Sequence, residues 1–226
     1  MIHCEWSDRA LDGVDAGTAV AIVDVFSFAT AVTLAVERGA SVYPWSGEGA
    51  PPENAIVGTD RSRTTFSLSP ESLLNIDTGT RLALPSQNGA RLTAAAARVA
   101  GAVAVASLRN APAVARWLSG WRGDVVVIAA GERWPDGTVR FAIEDWLGAG
   151  AVLAQLPGSK TAEAQLAAAS FEASRAQLEA VLADSISGRE LIARGFSADV
   201  ALAAGYDSSS AVPVVGADGW VGDTHV

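Results

Sequence analysis

The stretch AVAIVDVFSFAT, residues 19–30, constrains the fold of this chain more than any other. Its apolar run is short, continuous and rich in β-branched residues. Residues 20–25 therefore read as a buried strand, bounded by Gly17 and by a Ser/Thr-bearing turn after Asp24. Helical spacing follows over residues 29–37, and Arg38-Gly39 looks like a helix end with a glycine cap. A buried strand that delivers a carboxylate to the start of a helix is a common way for an α/β protein to place charge in a ligand crevice.

The same alternation continues along the chain. Strands are expected at 41–45, 55–57, 81–84, 102–106 and, most strongly, in DVVVIAA at 124–130. Helices are expected at 91–99, from SLRNA through Trp117, and at 141–156. Gly148 and Gly150 in the last of these suggest close packing against a neighbour. The polar segment GTDRSRTTFSLSPESL has no steady period and reads as a functional or mobile loop with a short helix near 69–74. Pro135-Asp136-Gly137 reads as a tight turn. Repeated βα units predict a mostly parallel sheet with helices on both faces. After Pro157-Gly158 the pattern becomes helical: one long helix at 162–182, then 188–194 and 198–204. Segments 211–215 and 220–221 then form a closing hairpin or an edge strand. The expectation is one α/β domain over residues 1–226, with a core at 19–156 and a helix-rich C-terminal part at 157–226.

Composition narrows the chemistry. Half of the residues are hydrophobic, enough for a sizeable core, and the formal charge is −9. That balance argues against a nucleic-acid binder, which normally shows a basic face. A phosphate site must then be made attractive locally, by a metal, backbone N–H groups or a few arginines. The single cysteine, Cys4, excludes an intrachain disulfide and a cysteine-rich zinc site. With only His3 and His225, a histidine metal centre or a Ser-His-Asp triad lacks material. Oxygen ligands favour magnesium, calcium or manganese. No apolar run is long enough to span a bilayer, and the N-terminus lacks the pattern of a secretory signal, so the default compartment is the cytoplasm. The seven tryptophans recur at no fixed spacing; they read as packing or interface residues, which leaves a homo-oligomer open.

Several polar groups sit where strands end. Asp24 is a metal ligand or nucleophile, or it is a helix cap. Ser86, Asn88 and Gly89 form PSQNG, either an anion cradle at a helix start or an ordinary capped turn. Ser107, Arg109 and Asn110 repeat that placement. Arg109 offers a fork for phosphate or sulfonate, or a surface ion pair, and Asn110 is equally a cap before Pro112. Glu132, Glu144 and Asp145 follow the DVVVIAA strand. The last two are adjacent in a first helical turn and diverge by about 100°. One can reach a metal while the other hydrogen-bonds a neighbouring turn, or both answer the helix dipole. Arg61 and Arg63 are lid residues over an anion or solvated charges. No G-x-G-x-x-G follows the first strand and no P-loop motif occurs, which lowers a nucleotide assignment.

Taken in order, several stretches resemble one family. VDVFSFATAV looks like its D-V-[LF]-R-x-[ST]-T segment, LPSQNGARL its T-T-x-N-G-T-R segment, and SLRNAPAVARWL its S-x-x-N-A-x-A-V-A segment. IAAGERWPDGTVRFAIEDWLGAGAV resembles the family's E-D-x-L-x-A-G-A-I region, the most specific of the set. DSISGRELIARGFSADVALAAGYDSSSAVPVV is similar to its C-terminal run. The family is the 2-phosphosulfolactate phosphatases, ComB-like proteins. The resemblance implies a magnesium-dependent phosphatase of an α/β fold that hydrolyses a small 2-phosphorylated hydroxy acid, such as 2-phosphosulfolactate, on the route to coenzyme M. The polar residues that match it are Asp24, Thr30, Asn88, Gly89, Asn110, Glu144, Asp145 and Asp207. Of these, we read Asp24, Glu144 and Asp145 as the catalytic and Mg2+-binding residues, and Thr30, Asn88, Gly89 and Asn110, with Ser86 and Arg109 from their places at strand ends, as the substrate-binding set. Ser27 stands where the family pattern has arginine, TFSLSPESL lacks the pattern's Asp and Asn, and PSQNGA replaces T-T-x-N-G-T. These departures bear on the sulfonate-bearing substrate more than on phosphatase chemistry. The alternative is a non-catalytic anion-binding or regulatory protein on the same fold.

Overall fold

A computed structural model describes residues 1–224 apart from Arg63 and Pro135. The expected lid role of Arg63, the first residue of the expected 135–137 turn, and His225 lie outside the described residues.

In chain order the strands are β1 (Ile2–Trp6), β2 (Ala19–Val23), β3 (Ser41–Trp45), β4 (Ile56–Val57), β5 (Arg81–Pro85), β6 (Ala102–Ala106), β7 (Val125–Ala129), β8 (Glu132–Arg133), β9 (Val139–Arg140), β10 (Pro213–Val215) and β11 (Val221–Asp223). The helices are α1 (Phe28–Val36), α2 (Gly89–Ala96), α3 (Ala111–Ser119), α4 (Ile143–Gln155), α5 (Ala162–Ser174), α6 (Leu178–Asp184), α7 (Ile186–Ala193) and α8 (Ser197–Ala203). Among the described residues no helix is long and apolar enough to cross a membrane.

Nine strands form one sheet in the order β1-β7-β2-β6-β10-β11-β3-β5-β4. The α/β expectation holds, with two parallel blocks. The blocks are joined by the antiparallel hairpin β10–β11, which pairs with β6 on one side and β3 on the other. The last strands of the chain thus lie inside the sheet rather than at its edge. Pro213 is tolerated there because it is the first residue of its strand, where a missing N–H costs least.

Strand β2 is buried on both faces, as its continuous apolar run requires. Ala19, Ala21 and Val23 pack with residues of α3, α4 and α5, while Val20 and Ile22 pack with Leu92 and Ala96 of α2. Helices therefore cover both faces. Gly148 lets α4 lie on β2, since a Cβ there would meet Val23 and Val25 at 2.7 Å. Gly150 lets α4 and α5 touch, since a Cβ would come within 2.2 Å of the Ala167 carbonyl oxygen.

The expected long helix at 162–182 is broken into α5, a 3-10 turn (Arg175–Gln177) and α6. Its buried positions Ala164, Ala167, Phe171, Leu178 and Leu182 keep one helical stripe through the break. Periodicity therefore carried no sign of the break, at which Arg175 lies 4.8 Å from the Tyr206 ring centroid. The N-terminal strand was not anticipated, because IHCEW buries only alternate residues and carries Glu5. It is specified by its partners: β7 on one side, and on the other bonds from Ile2 N–H to Ser159 and from Thr161 N–H to Ile2.

Candidate active site

A cleft of about 530 Å³ opens beyond the carboxyl ends of five strands. Asp24 and Phe26 follow β2, Ser46 and Gly47 follow β3, Asp60 and Arg61 follow β4, Ser86 to Asn88 follow β5, and Glu132 to Trp134 follow β7. This is where loops of an α/β sheet converge on a ligand. Arg140, Glu190 and Arg194 close the wall from the β9 and α7 side.

Asp24 is buried, and both its oxygens are engaged. Oδ1 accepts the Phe28 N–H at 3.2 Å, at the start of α1. Oδ2 accepts the Gly89 N–H at 2.8 Å, at the start of α2. Asp24 thus accepts an N–H at the first turn of α1 and also lines the cleft, while the N-cap position itself is Ser27. Gly89 has to be glycine: a Cβ there would lie 2.5 Å from Asp24 Oδ2 and 2.6 Å from the Phe28 ring. Next to it, Asn88 donates from Nδ2 to Glu132 Oε1 at 2.8 Å. Two consecutive residues after β5 thus hold the two carboxylates of the cleft floor. Among the described residues, the Asn88 Oδ1 oxygen is buried with no hydrogen-bond partner. Burial, and then the Glu132 carboxylate, push the Asp24 carboxyl up to about 7, against the pull of the Gly89 and Phe28 N–H groups and of Arg61.

The other expected carboxylates lie behind this floor. Asp145 accepts the Val25 N–H at 2.7 Å and the Gly131 N–H at 2.9 Å. It ties the turn that carries Asp24 to the turn that carries Glu132. Burial, followed by the charges of Asp24 and Glu144, holds its carboxyl well above the usual carboxylate range. Glu144 is buried beside Ser187 and Arg140; burial raises its carboxyl, while the Ser187 hydroxyl, the helix N–H and Arg140 hold it down. Neither lines the cleft. Among the described residues, no group of three or more His, Cys, Asp and Glu side chains is arranged to hold a metal ion.

The expected substrate-binding residues divide in the same way. Ser86 and Asn88 line the cleft, and Gly89 acts through its bond to Asp24. Thr30 is fully buried and donates to the Val25 carbonyl at 2.8 Å, which braces the Asp24 turn from below. Asn110 is also fully buried. Its Oδ1 accepts the Ser107 N–H at 2.8 Å and its Nδ2 reaches the Val105 and Ala211 carbonyls, so it fastens the C-terminal segment to β6. Arg109 lines a different groove with Leu74 and Leu202, and its guanidinium bonds the Leu202 carbonyl and Glu37. Asp207 adopts a positive φ of 53° and donates its N–H to the Leu108 carbonyl.

Sequence reasoning missed Arg133, Arg140 and Arg194 in the cleft wall and did not choose Glu132. Glu132 and Arg133 carried a usable signal, because they follow a buried strand just as Asp24 does. Arg194, at the end of α7, carried none.

A magnesium ion is the metal that the resemblance implies. The cleft floor fits one: two carboxylates that repel each other, Asp24 and Glu132, sit beside the unpartnered Asn88 Oδ1. Magnesium needs only one or two protein carboxylates, completing its shell with waters and substrate phosphate.

Comparison with known proteins shows the family. The chain matches the family model described as 2-phosphosulpholactate phosphatase over residues 57–218. It is 33% identical over 135 residues to a protein named "Probable 2-phosphosulfolactate phosphatase" of Gloeobacter violaceus (strain ATCC 29082 / PCC 7421), a match covering 60% of this chain and 55% of that protein. A second protein of the same printed name, from Carboxydothermus hydrogenoformans (strain ATCC BAA-161 / DSM 6008 / Z-2901), is 31% identical over 210 residues, covering 86% of this chain and 85% of its own length. With the family model spanning well over half of its length, and with a cleft built at the ends of its strands, this chain belongs to the 2-phosphosulpholactate phosphatase family.

Proposed function

We propose that the protein is a magnesium-dependent phosphatase of a small 2-phosphorylated hydroxy acid, the substrate named for its relatives being 2-phosphosulfolactate. The observation that carries the reading is the pairing of Asp24 and Glu132 in a cleft walled by Arg61, Arg133, Arg140 and Arg194. An anionic phosphate ester is drawn by the arginines, and the carboxylates face the phosphorus with hard oxygen donors.

Asp24, Glu132 and the Asn88 Oδ1 would hold the ion. Bound there, magnesium neutralises charge on the phosphoryl oxygens. The remaining work belongs to the chain. Arg61 and Arg194 donate N–H groups to phosphate oxygens and fix the ester for in-line displacement. Asp145 and Asn88 keep Asp24 and Glu132 at fixed separation. Water attacks phosphorus as the P–O bond to the leaving group breaks; Asp60 or Glu190 on the cleft wall supplies a proton to the alkoxide and takes one back from the attacking water, whose other proton stays on the phosphate released. An aspartyl phosphate on Asp24 is the other route. It is the less favoured, because both Asp24 oxygens already accept backbone N–H groups.

The test is phosphate release from 2-phosphosulfolactate, 2-phospholactate and an aryl phosphate, each with and without magnesium. Magnesium-dependent release that is lost in Asp24→Asn and Glu132→Gln is expected. A folded protein that releases phosphate from none of them is not a phosphatase.

A further inference from the structure

We propose that Asp199, which lies outside the cleft wall, is a positioning residue that holds Arg61 in place as an anion-binding group of the cleft. Arg61 belongs to the irregular segment between β4 and the 3-10 turn at Pro70–Leu73. A long side chain leaving such a segment has several rotatable bonds, and ordering it in one geometry carries an entropic cost. Here the guanidinium is fixed from two sides. Nη1 donates to Asp199 Oδ2 at 3.0 Å, and Nη2 donates to Ser27 Oγ at 2.8 Å. The Phe196 ring lies below, 5.6 Å from Cζ. Two of the five N–H groups of the guanidinium are used in these bonds, and the side chain still lines the cleft.

Asp199 is fully buried on α8, and its oxygens divide the work. Oδ1 accepts the Ser69 hydroxyl at 2.7 Å and the Glu71 N–H at 3.0 Å, which anchors the far end of the segment. Oδ2 is given to Arg61. The other cleft arginines are held differently. Arg133 and Arg140 pair with the partly exposed Asp8 and Glu190, and Arg194 lies over the Phe196 ring. Burying a carboxylate is costly unless it is paired and hydrogen-bonded. At Arg61 the pairing fixes a cation that also bonds Ser27, three residues after Asp24 in the chain. Helix α8 thereby sets the charge geometry of a site whose floor carboxylates, Asp24 and Glu132, come from the turns after β2 and β7.

The inference rests on the phosphatase reading only in taking phosphate as the anion, so the test measures binding and turnover separately. Titration calorimetry with inorganic phosphate, magnesium present, gives the affinity. Asp199→Asn is expected to weaken phosphate about tenfold and to raise KM by a similar factor. Its kcat is expected to stay within about threefold of the wild type. Arg61→Met loses at least as much, and the double variant matches Arg61→Met alone, because Asp199 acts through Arg61. Ser69→Ala lowers the melting temperature but keeps phosphate affinity. Should Asp199→Asn not fold, Ser27→Ala removes the other anchor and is expected to weaken phosphate in the wild-type background and not in Arg61→Met. Additive losses, or an Asp199→Asn protein of native affinity, overturn the proposal, as does a wild-type protein that binds no phosphate. A wild-type protein that binds phosphate with this coupling yet releases none from any ester supports the proposal and sinks the phosphatase reading.

Discussion

Replacing Gly89 by alanine tests whether the two strand ends are locked together through Asp24. The new Cβ would lie 2.5 Å from Asp24 Oδ2, 2.9 Å from Asp24 Cβ and 2.6 Å from Phe28 Cδ1. Neither neighbour yields easily. Phe28 is fully buried, and Asp24 is bonded at both oxygens. Overpacking of this kind costs about 1–3 kcal/mol. Alanine's better helix propensity offsets at most about 1 kcal/mol, and less in a first turn. A net loss of about 1–2 kcal/mol corresponds to a melting temperature lower by about 2–8 °C in a chain of this size. The larger effect is on turnover. To clear the Cβ, Asp24 Oδ2 has to move by a sizeable fraction of an ångström, and misplacement on that scale costs up to about a hundredfold in rate. The assay pairs a thermal melt with phosphate release under saturating substrate. Gly222→Ala is the control, because no atom lies within 4 Å of a Cβ built there; it is expected to change neither readout. A Gly89→Ala protein with unshifted melting and near wild-type turnover would refute the argument that Gly89 sets the position of Asp24.

The folded Asp24 carboxyl titrates near 7 against an ordinary 3.8, so the native state binds the proton more tightly than the unfolded chain. Its contribution to metal-free stability is then fully present below about pH 4 and is lost as pH rises to about 7, a change of at most roughly 4 kcal/mol. Asp24→Asn is expected to flatten much of that slope in denaturant titrations run with a chelator, and an unchanged slope would assign the titration elsewhere. Magnesium should raise the melting temperature of the wild type above pH 7 and leave Glu132→Gln largely unmoved; equal shifts in both would exclude Glu132 from the metal site. Asn110→Ala strips the partners from the Ser107 N–H and two carbonyls and is expected to cost about 2–4 kcal/mol. Its kcat/KM should remain within about threefold, and a selective loss of activity at unchanged stability would restore Asn110 to the substrate site.

The readings that succeeded from sequence were those governed by local pattern. Strands β3 and β6 fall on the expected residues, since short β-branched or alternating runs bounded by turns leave little choice of register. Gly148 and Gly150 were legible as close-packing positions because a missing side chain matters only where something comes near. Asp24 was legible because of its place at a strand end. Asp145 and Glu144 were equally legible as acids in a first helical turn, but no pattern says which way such a side chain faces. The structure turns Asp145 onto two backbone N–H groups, Val25 and Gly131, and leaves Glu132 to face the cleft.

What the sequence determined by itself is the βα alternation, the burial of β2 and the delivery of Asp24 to a turn. These follow from hydrophobic period, turn residues and capping, all of which act within about a dozen residues. Tertiary structure decided which strands are neighbours, and so placed the hairpin β10–β11 in the middle of the sheet. It also decided which polar side chains meet: Asn88 with Glu132, Gly89 with Asp24, and Arg61 with Asp199, whose positions in the chain differ by 44, 65 and 138 residues. Contacts over such separations leave no periodic trace. They are fixed by how packed layers bring strand ends together, and the chemistry of the cleft depends on them.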